Sequence, residues 1–193
     1  MRIIAKKSLG QNFLIDANVL EKIIKVTKIH KKNILEIGPG TGNLTEYILK
    51  KNPKYLTVIE KDENLCQKLS LRFKDNIKII NNDILKENLE NKCSKEKFTV
   101  FGNLPYNIST EIICNWVLNL KETYWFDELI LMFQKEVADR IIAKFNTSNY
   151  GRLSIISNWK LSIKKICDIK PGAFSPKPKI DSSLLIFHPK KNF

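Results

Sequence analysis

The sequence has few of the residues that metal centres and histidine-based catalytic triads require. Its two histidines, His30 and His188, are far apart, and no pair of cysteines has C-x-x-C spacing. The four cysteines are Cys66, Cys93, Cys114 and Cys167. Cysteines scattered in this way are typical of reduced, mostly buried thiols in a cytoplasmic protein. We therefore expect neither a disulfide framework nor a metal site.

Long apolar runs are also missing. No stretch approaches the ~18 apolar residues of a membrane span. The basic N-terminus, MRIIAKKSLGQNF, lacks the apolar segment that a signal peptide needs. We therefore expect a cytoplasmic protein without a membrane-spanning segment. The length of 193 residues, with 43% hydrophobic residues, suits one domain with its own core.

Acidic residues are scarce relative to lysine. Asp and Glu total 20, whereas Lys and Arg total 33, and the formal net charge is +13. A charge of this size attracts polyanions and speeds their encounter with the protein. AT-rich codons would give the same excess of lysine, so charge alone indicates a polyanionic partner without establishing one.

Apolar runs and helical patterns alternate along most of the chain. Mostly apolar runs without strict alternation, typical of parallel strands buried on both faces, occur at 34–37, 55–59, 77–80, 98–101 and 129–133. Helical spacing occurs at 18–28, after Asp16 as a plausible N-cap, and at 43–51, 63–73, 110–120 and 136–145. This alternation predicts a doubly wound α/β sheet.

The C-terminal part departs from the alternation. A helix predicted at 151–159 precedes two apolar segments, 163–169 and 183–187, and a proline-rich loop joins these two without a helix. Two strands joined in this way are best paired antiparallel. We therefore predict a mostly parallel sheet that ends in an antiparallel hairpin.

Glycines follow the first predicted strand, in Glu36-Ile-Gly38-Pro-Gly40-Thr-Gly42. Ligands of open α/β sheets bind at the carboxyl ends of the strands, and glycines let the backbone approach a ligand closely. The glycine spacing is not that of the dinucleotide fingerprint, whose third glycine comes later, and no Lys-Ser/Thr pair follows, as it would in a P-loop. The segment looks like the nucleotide loop of class I S-adenosylmethionine-dependent methyltransferases.

Acidic residues follow the next two strands. Glu60 lies 22 residues after Gly38, near the spacing at which an acid accepts hydrogen bonds from ribose hydroxyls, a device that NAD enzymes share. Asp83 could accept a hydrogen bond from an adenine amine while Ile84 covers the ring. A lone Asp there would more often be a helix cap, but as the third polar element on successive strand ends Asp83 is predicted to bind the ligand.

The segment Asn103-Leu-Pro-Tyr106 follows the fourth strand. The amine of adenine is a poor nucleophile because its lone pair is delocalised into the ring. Hydrogen bonds accepted by the Asn103 side-chain oxygen and the Leu104 carbonyl would favour the pyramidal form that can attack a methyl group. Pro105 would aim that carbonyl, and Tyr106 would stack on the base. The segment predicts catalysis by positioning and electrostatics, without a strong general base.

Eight segments, in this order and spacing, make the chain similar to the KsgA-type small-subunit rRNA adenine dimethyltransferases. They are KSLGQNFL (7–14), EIGPGTGNLT (36–45), VIEKD (58–62), NNDIL (81–85), FGNLPYNIS (101–109), FQKEVADRI (133–141), YGRLS (150–154) and AFSPKPKIDS (173–182). The resemblance covers essentially the whole chain. It implies a class I, Rossmann-like methyltransferase fold with a seven-stranded, mostly parallel sheet and helices on both faces.

The resemblance also implies the cofactor and its contacts. The cofactor would be S-adenosylmethionine, with S-adenosylhomocysteine as the product. Its contacts would be Gln11, Asn12 and Leu14, from a segment that covers it, and Gly38, Gly40, Gly42, Glu60, Asp83, Ile84 and Asn103. Phe174 would pack on the flipped target adenine opposite Tyr106; the alternative is an ordinary buried residue that anchors a loop.

The substrate implied by the resemblance is a pair of adjacent adenosines in the hairpin loop near the 3′ end of small-subunit rRNA, each of which receives two methyl groups. The partner would be the 30S subunit or its precursor, and the enzyme would act as a monomer. We expect a cofactor-covering segment and helix at 1–30 and the Rossmann-like core at 31–193. The family continues into a small C-terminal helical domain, which we expect this chain to lack.

Three alternatives remain open from the sequence. Erm-type enzymes, which methylate large-subunit rRNA, are compatible with the QNFL, NLPYNIST and PKPK segments, whereas SLGQNFL, FQKEVADRI and YGRLS favour the small-subunit enzymes. The glycine spacing and the NLPY loop argue against an NAD-dependent dehydrogenase. A ribosome-assembly factor that had lost catalysis would have no need of an intact 103–106 loop.

Overall fold

The computed structural model of the protein describes residues 5–6, 9–90, 97–120 and 123–191. Its strands are β1 (Phe13–Leu14), β2 (Asn33–Ile37), β3 (Tyr55–Glu60), β4 (Lys78–Asn81), β5 (Phe98–Asn103), β6 (Phe126–Gln134), β7 (Leu161–Ile169), β8 (Phe174–Ser175) and β9 (Ser182–Pro189). Its α-helices are α1 (Ala17–Ile24), α2 (Asn43–Leu49), α3 (Glu63–Phe73), α4 (Ser109–Asn119), α5 (Lys135–Ile141) and α6 (Arg152–Lys160). Short 3₁₀ helices lie at Lys74–Asn76, Ile84–Lys86 and Pro171–Ala173.

Seven strands form one sheet in the order β4-β3-β2-β5-β6-β9-β7. The first five are parallel, whereas β9 lies antiparallel between β6 and β7. The predicted mostly parallel sheet with a C-terminal antiparallel hairpin is therefore confirmed. The chain order reverses between β2 and β5, which creates the crevice where ligands of such folds bind.

The apolar core lies in two layers, one on each face of the sheet. Neighbouring strand residues alternate between the layers: Val100 belongs to one cluster and Phe101 to the other, and both are fully buried. Helix α4 contributes Ile113 and Val117 to the first cluster. Helices α1, α2 and α3 contribute Ile23, Ile48 and Leu69 to the second. Burial on both faces explains why these strands are mostly apolar.

Several predicted boundaries are wrong by a few residues. Helix α1 ends at Ile24 instead of residue 28, and α5 ends at Ile141 instead of residue 145. Phe145 is 74% exposed, so no packing extends α5 that far. The N-cap of α1 is confirmed, because the Asp16 side chain accepts hydrogen bonds from the N–H groups of Asn18 and Val19.

A second, two-stranded sheet was not predicted from the sequence. In it β1 pairs antiparallel with β8, so that Phe13 lies opposite Ser175 and Leu14 opposite Phe174. Strands of two residues are too short to leave a periodic pattern. This pairing joins the N-terminal segment to the loop that follows β7, beside the ends of the parallel strands.

Cys66 is buried and Cys114 and Cys167 are partly buried, all with free thiols. Cys93, and Lys7 and Ser8 of the first family segment, lie outside the described residues. Within the described ranges, no cluster of three or more His, Cys, Asp or Glu side chains could hold a metal ion. No helix in the same ranges is long and apolar enough to cross a membrane.

Candidate active site

A cleft of about 190 Å³ lies at the carboxyl ends of the parallel strands. Twelve of the predicted site residues line it: Gln11, Asn12, Leu14, Gly38, Gly40, Glu60, Asp83, Ile84, Asn103, Leu104, Pro105 and Tyr106. Residues that are up to 95 positions apart in the sequence (Gln11 and Tyr106) thus share one site. Two predicted residues, Gly42 and Phe174, do not line the cleft.

The glycine loop after β2 forms one wall of the cleft. Gly38 and Gly40 have φ values of +64° and +58°, a region that side chains with a Cβ rarely adopt. The Gly40 N–H donates to Oε2 of Glu60 at 3.2 Å. A Cβ atom on Gly40 would lie 2.7 Å from Cδ1 of Phe13. The loop therefore leaves room for the N-terminal segment, which packs directly on it.

Gly42 has a packing role in this structure. It is the N-cap of α2, with a φ of +82°. A Cβ there would lie 2.6 Å from Cε2 of Phe73 and 2.9 Å from Cδ2 of Leu69, both on α3. The third glycine of the segment thus permits close packing of α2 on α3. Contact of Gly42 with a cofactor stays a prediction.

Glu60 ends β3 and is 7% exposed. Its Oε1 accepts the N–H of Asp62 at 2.9 Å, and its Oε2 accepts the N–H of Gly40. Burial raises the pKa of Glu60 above its ordinary value. Each carboxylate oxygen has a second lone pair, so Glu60 can hold the glycine loop in place and still accept hydrogen bonds from ribose hydroxyls.

Asp83 caps the 3₁₀ helix Ile84–Lys86, accepting the N–H of Leu85 at 3.1 Å through Oδ1. Its Oδ2 pairs with Nζ of Lys61 at 2.8 Å, and the hydrogen bond from Lys61 lowers the pKa of Asp83. The side chain therefore stays ionised as a hydrogen-bond acceptor. Asp83 is thus a cap that also lines the cleft, and its contact with a cofactor stays a prediction.

The loop after β5 carries the predicted catalytic residues. Nδ2 of Asn103 donates to the backbone oxygen of Asn12 at 2.7 Å. Leu104 is buried, 1% exposed, and the carbonyl of Pro105 accepts the N–H of Ile108 at 3.1 Å. The hydroxyl of Tyr106 lies 2.5 Å from Oγ of Ser182. These bonds fix the orientations of the Asn103 amide and the Tyr106 ring.

Hydrogen bonds hold the N-terminal segment across the cleft. Nε2 of Gln11 donates to Oδ2 of Asp62 at 3.2 Å, and Nδ2 of Asn43 donates to the backbone oxygen of Leu14 at 2.8 Å. Together with the bond from Asn103 to Asn12, they tie residues 11–14 to α3, α2 and β5. This placement agrees with a segment that covers a bound ligand.

Phe174 lies in β8 and is 1% exposed, within the core cluster that also contains Leu14. It has the burial expected of a residue that anchors a loop. The structure does not bring its ring into the cleft, and stacking of Phe174 on an adenine stays a prediction.

Comparison with known families decides the assignment. The family model described as ribosomal RNA adenine dimethylase matches residues 3–193. The chain belongs to the ribosomal RNA adenine dimethylase family. The interpretation as a dehydrogenase is thereby excluded, and S-adenosylmethionine is the cofactor of the family. The site fits the hydroxyl, amine and sulfonium groups of that cofactor. It offers carboxylates at the ends of β3 and β4 and a glycine loop whose backbone is open to contact.

Curated relatives of the dimethylase are proteins named ribosomal RNA small subunit methyltransferase A. The one from Pelagibacter ubique is 66% identical over 193 residues, which are all of this chain and 73% of the relative. One from Mesomycoplasma hyopneumoniae is 44% identical over 190 residues, 98% of this chain and 71% of the relative.

Two solved structures extend the comparison. A dimethyladenosine transferase from Plasmodium falciparum is 32% identical, with a TM-score of 0.81, over 93% of this chain and 64% of that one. The 23S rRNA methyltransferase ErmE is 26% identical, with a TM-score of 0.75, over 93% of this chain and 70% of that one. Both likenesses support the class I methyltransferase fold of the dimethylase.

Sequence reasoning missed two acidic residues, one that lines the cleft and one that holds the N-terminal segment. Glu36 lines the cleft, is 2% exposed and accepts a hydrogen bond from Oγ1 of Thr45 at 2.7 Å. Burial raises the pKa of Glu36 to about 8. Asp62 caps α3 and holds Gln11. The position of Glu36, just before the glycines, was the available signal for it; no pattern in the sequence links Asp62 to Gln11.

Proposed function

We propose that the protein transfers methyl groups from S-adenosylmethionine to the exocyclic amines of two adjacent adenosines in the 3′-terminal hairpin loop of small-subunit rRNA. Each adenosine receives two methyl groups. The names of the curated relatives support the small subunit as the target. We further propose that it works in the cytoplasm, as a monomer, on the small ribosomal subunit or its precursor.

The observation that carries the proposal is the orientation of the Asn103 amide. Because Nδ2 is engaged with Asn12, the acceptor Oδ1 is free to face a target amine, and no described residue donates to it. The amine can then donate to Oδ1 and to the Leu104 carbonyl while its lone pair attacks the methyl group. Pro105 fixes the backbone next to Leu104 and so aims that carbonyl.

S-adenosylmethionine, when bound, supplies an electrophilic methyl group on its sulfonium. The chain supplies position and electrostatics. Glu60 and Asp83 hold the nucleoside end, Gln11 and Asn12 cover it, and Tyr106 offers a ring for stacking on the target base, worth ~1–3 kcal/mol in known cases. The reaction needs no strong general base, because the amine loses its proton only after the methyl group has been transferred.

The test is transfer of labelled methyl groups to purified small and large ribosomal subunits. We expect incorporation of up to four methyl groups per small subunit, mapped to two adjacent adenosines, and none into large subunits. Methylation of large-subunit rRNA would favour the Erm-type alternative, whose solved representative shares the fold. Cofactor binding without transfer to either subunit would favour a non-catalytic assembly factor.

A further inference from the structure

The hydroxyl of Tyr106 lies 2.5 Å from Oγ of Ser182, across 76 positions of sequence. Stacking on a base needs only the aromatic ring, which phenylalanine would supply as well. The phenol is desolvated, and burial raises the pKa of Tyr106, so the hydroxyl remains protonated and needs a hydrogen-bond partner. Ser182, which is fully buried, provides it.

The oxygen of Ser182 is held by the sheet itself. Ser182 begins β9, where it pairs with Gln134 of β6 on one side and Ile169 of β7 on the other. The residue before it, Asp181, accepts the N–H of Lys135 through its backbone oxygen at 2.9 Å. The backbone on both sides of Ser182 is therefore fixed, and its hydroxyl offers a rigid attachment point.

The Tyr106 ring is attached at both ends. At the backbone end, the Tyr106 carbonyl accepts a hydrogen bond from Oγ of Ser109 at 3.3 Å. At the far end of the ring, the hydroxyl meets Ser182. A ring held at both ends cannot change rotamer without breaking the outer bond, and it stands in the wall of the cleft in one orientation.

We propose that Ser182 is a positioning residue for methyl transfer: its hydroxyl fixes the Tyr106 ring in the orientation that stacks on the target adenine. The inference rests on the proposed function and names a residue that acts through Tyr106, without touching the substrate. Misplacement of a reacting group by about 1 Å can cost roughly a hundredfold in rate, so loss of this bond acts mainly on the rate of transfer.

The experiment compares Ser182→Ala with Ser183→Ala. Ser183 is the matched control, because it is the next residue of β9, is equally buried, and donates from Oγ to Oδ1 of Asp168 at 2.6 Å instead of meeting Tyr106. With small subunits as substrate, Ser182→Ala lowers kcat by roughly tenfold or more. The KM values for RNA and for S-adenosylmethionine stay within about twofold, Ser183→Ala keeps a kcat near that of the wild type, and Ser182→Thr restores kcat.

Tyr106→Phe removes the same hydrogen bond without touching the sheet, which guards against an unfolded Ser182→Ala protein. If both substitutions act by removing this one hydrogen bond, the double variant Ser182→Ala/Tyr106→Phe is no slower than the slower single variant. Three results would each overturn the inference. They are losses of kcat that multiply in the double variant, a loss of kcat in Ser183→Ala equal to that in Ser182→Ala, and a wild-type kcat in Ser182→Ala.

A second readout needs no substrate. In protein labelled with 3-fluorotyrosine, the fluorine resonance of Tyr106, assigned through Tyr106→Phe, moves in Ser182→Ala and stays in place in Ser183→Ala. An unmoved resonance in Ser182→Ala contradicts the positioning role. The wild-type transfer rate tests the proposed function by itself, so failure of that function and failure of this inference give different results.

Discussion

Nδ2 of Asn103 donates to the backbone oxygen of Asn12 at 2.7 Å, and the two residues are 91 positions apart. This one bond joins the strand-end loop, whose amide we propose to be catalytic, to the N-terminal segment that lies across the cleft. It also decides which end of the amide is free, since the donor is engaged and the acceptor is not, and in the proposed mechanism the acceptor meets the target amine. Closure of the cleft and orientation of the acceptor are therefore set by the same contact.

Asn103→Ala should abolish most turnover while the fold survives. The lost acceptor acts on the amine in the transition state, where removal of one such oriented polar group costs about 10²–10³ in kcat. Some loss of cofactor affinity is also expected, because the alanine cannot hold Asn12. Asn64→Ala, at an exposed position of α3, is the control. A folded Asn103→Ala protein with near-normal single-turnover rates would show that the mechanism is wrong.

Cofactor binding should depend on Glu60 and Asp83. Substitution of either by alanine removes an ionised or buried hydrogen-bond acceptor, and the expected loss of S-adenosylmethionine affinity is about 1–3 kcal/mol, measured by titration calorimetry. Glu63→Ala, at an exposed position near Glu60, should bind as the wild type does. Wild-type affinity in both Glu60→Ala and Asp83→Ala would refute the assignment of these residues.

The stability of the protein should change with pH through Glu36. Its folded pKa of about 8 lies above the ordinary value of 4.5, so the folded state binds more protons than the unfolded state between these values. The contribution to stability is therefore complete below about pH 4.5 and is lost as the pH rises towards 8, by at most about 1.4 kcal/mol per pH unit.

Glu36→Gln lacks this ionisation and isolates the effect. We expect the Tm of Glu36→Gln, relative to that of the wild type, to rise from pH 5 to pH 8, at about 2–4 °C per kcal/mol for a chain of this size. The pKa of Glu60 is also raised by burial. Glu60 is present in both proteins, so its contribution largely cancels in the difference between their Tm values. Thermal unfolding curves that keep a constant difference across this range would contradict a raised pKa at Glu36.

Gly42→Ala should destabilise the fold. The new Cβ would overlap Phe73 and Leu69 at a φ of +82°, and overpacking of this kind typically costs about 1–3 kcal/mol. Gly172→Ala is the matched control, because a Cβ there meets nothing within 4 Å. Denaturant unfolding measures both variants. Equal stability of the two would remove the packing role, and a loss of cofactor affinity without a loss of stability would point to direct contact of Gly42 with the cofactor.

RNA binding by this chain should depend steeply on salt and discriminate poorly between RNAs. The net charge of +13 gives a sequence-independent phosphate contribution, and several phosphate contacts lose about 10³-fold in affinity between ~50 and ~200 mM salt. Base flipping selects adenine over other bases but not one hairpin among many. Filter binding to small-subunit rRNA and to an unrelated RNA of equal length measures both properties.

A fusion protein tests which part of the enzyme discriminates between RNAs. The chain covers 73% of the Pelagibacter relative, and the rest of that relative can be appended after Phe193. We expect the fusion to methylate small subunits faster and more selectively at ~150 mM salt, where exposed charges are screened beyond ~8 Å. Equal rates and selectivity of both proteins would show that residues 1–193 alone carry recognition.

The sequence alone determined the order and type of the main elements and singled out many of the residues that line the cleft. Parallel strands buried on both faces are apolar at most positions, so β2, β3 and β5 stand out without any knowledge of their neighbours. Ligand-binding groups must follow the carboxyl ends of such strands, so Gly38, Glu60, Asp83 and Asn103 could be assigned to one cleft before their distances were known.

Contacts between distant segments were decided only by the tertiary structure. The pairing of β1 with β8, the bond from Gln11 to Asp62 and the bond from Tyr106 to Ser182 involve single residues with no periodic pattern. The burial that raises the pKa of Glu36 comes from helices and strands that surround it. Such features depend on which surfaces the packed core brings together, and local sequence does not encode them.

Gly42 and Phe174 show a second limit of prediction from the sequence. Their residue types and positions in the family segments predicted ligand contacts, which stay predictions. The structure shows packing of Gly42 against α3 and burial of Phe174 beside Leu14. A motif records that a residue type is needed at a position. Whether the need comes from a ligand or from a neighbouring helix is decided by the space around the residue, which exists only once the chain has folded.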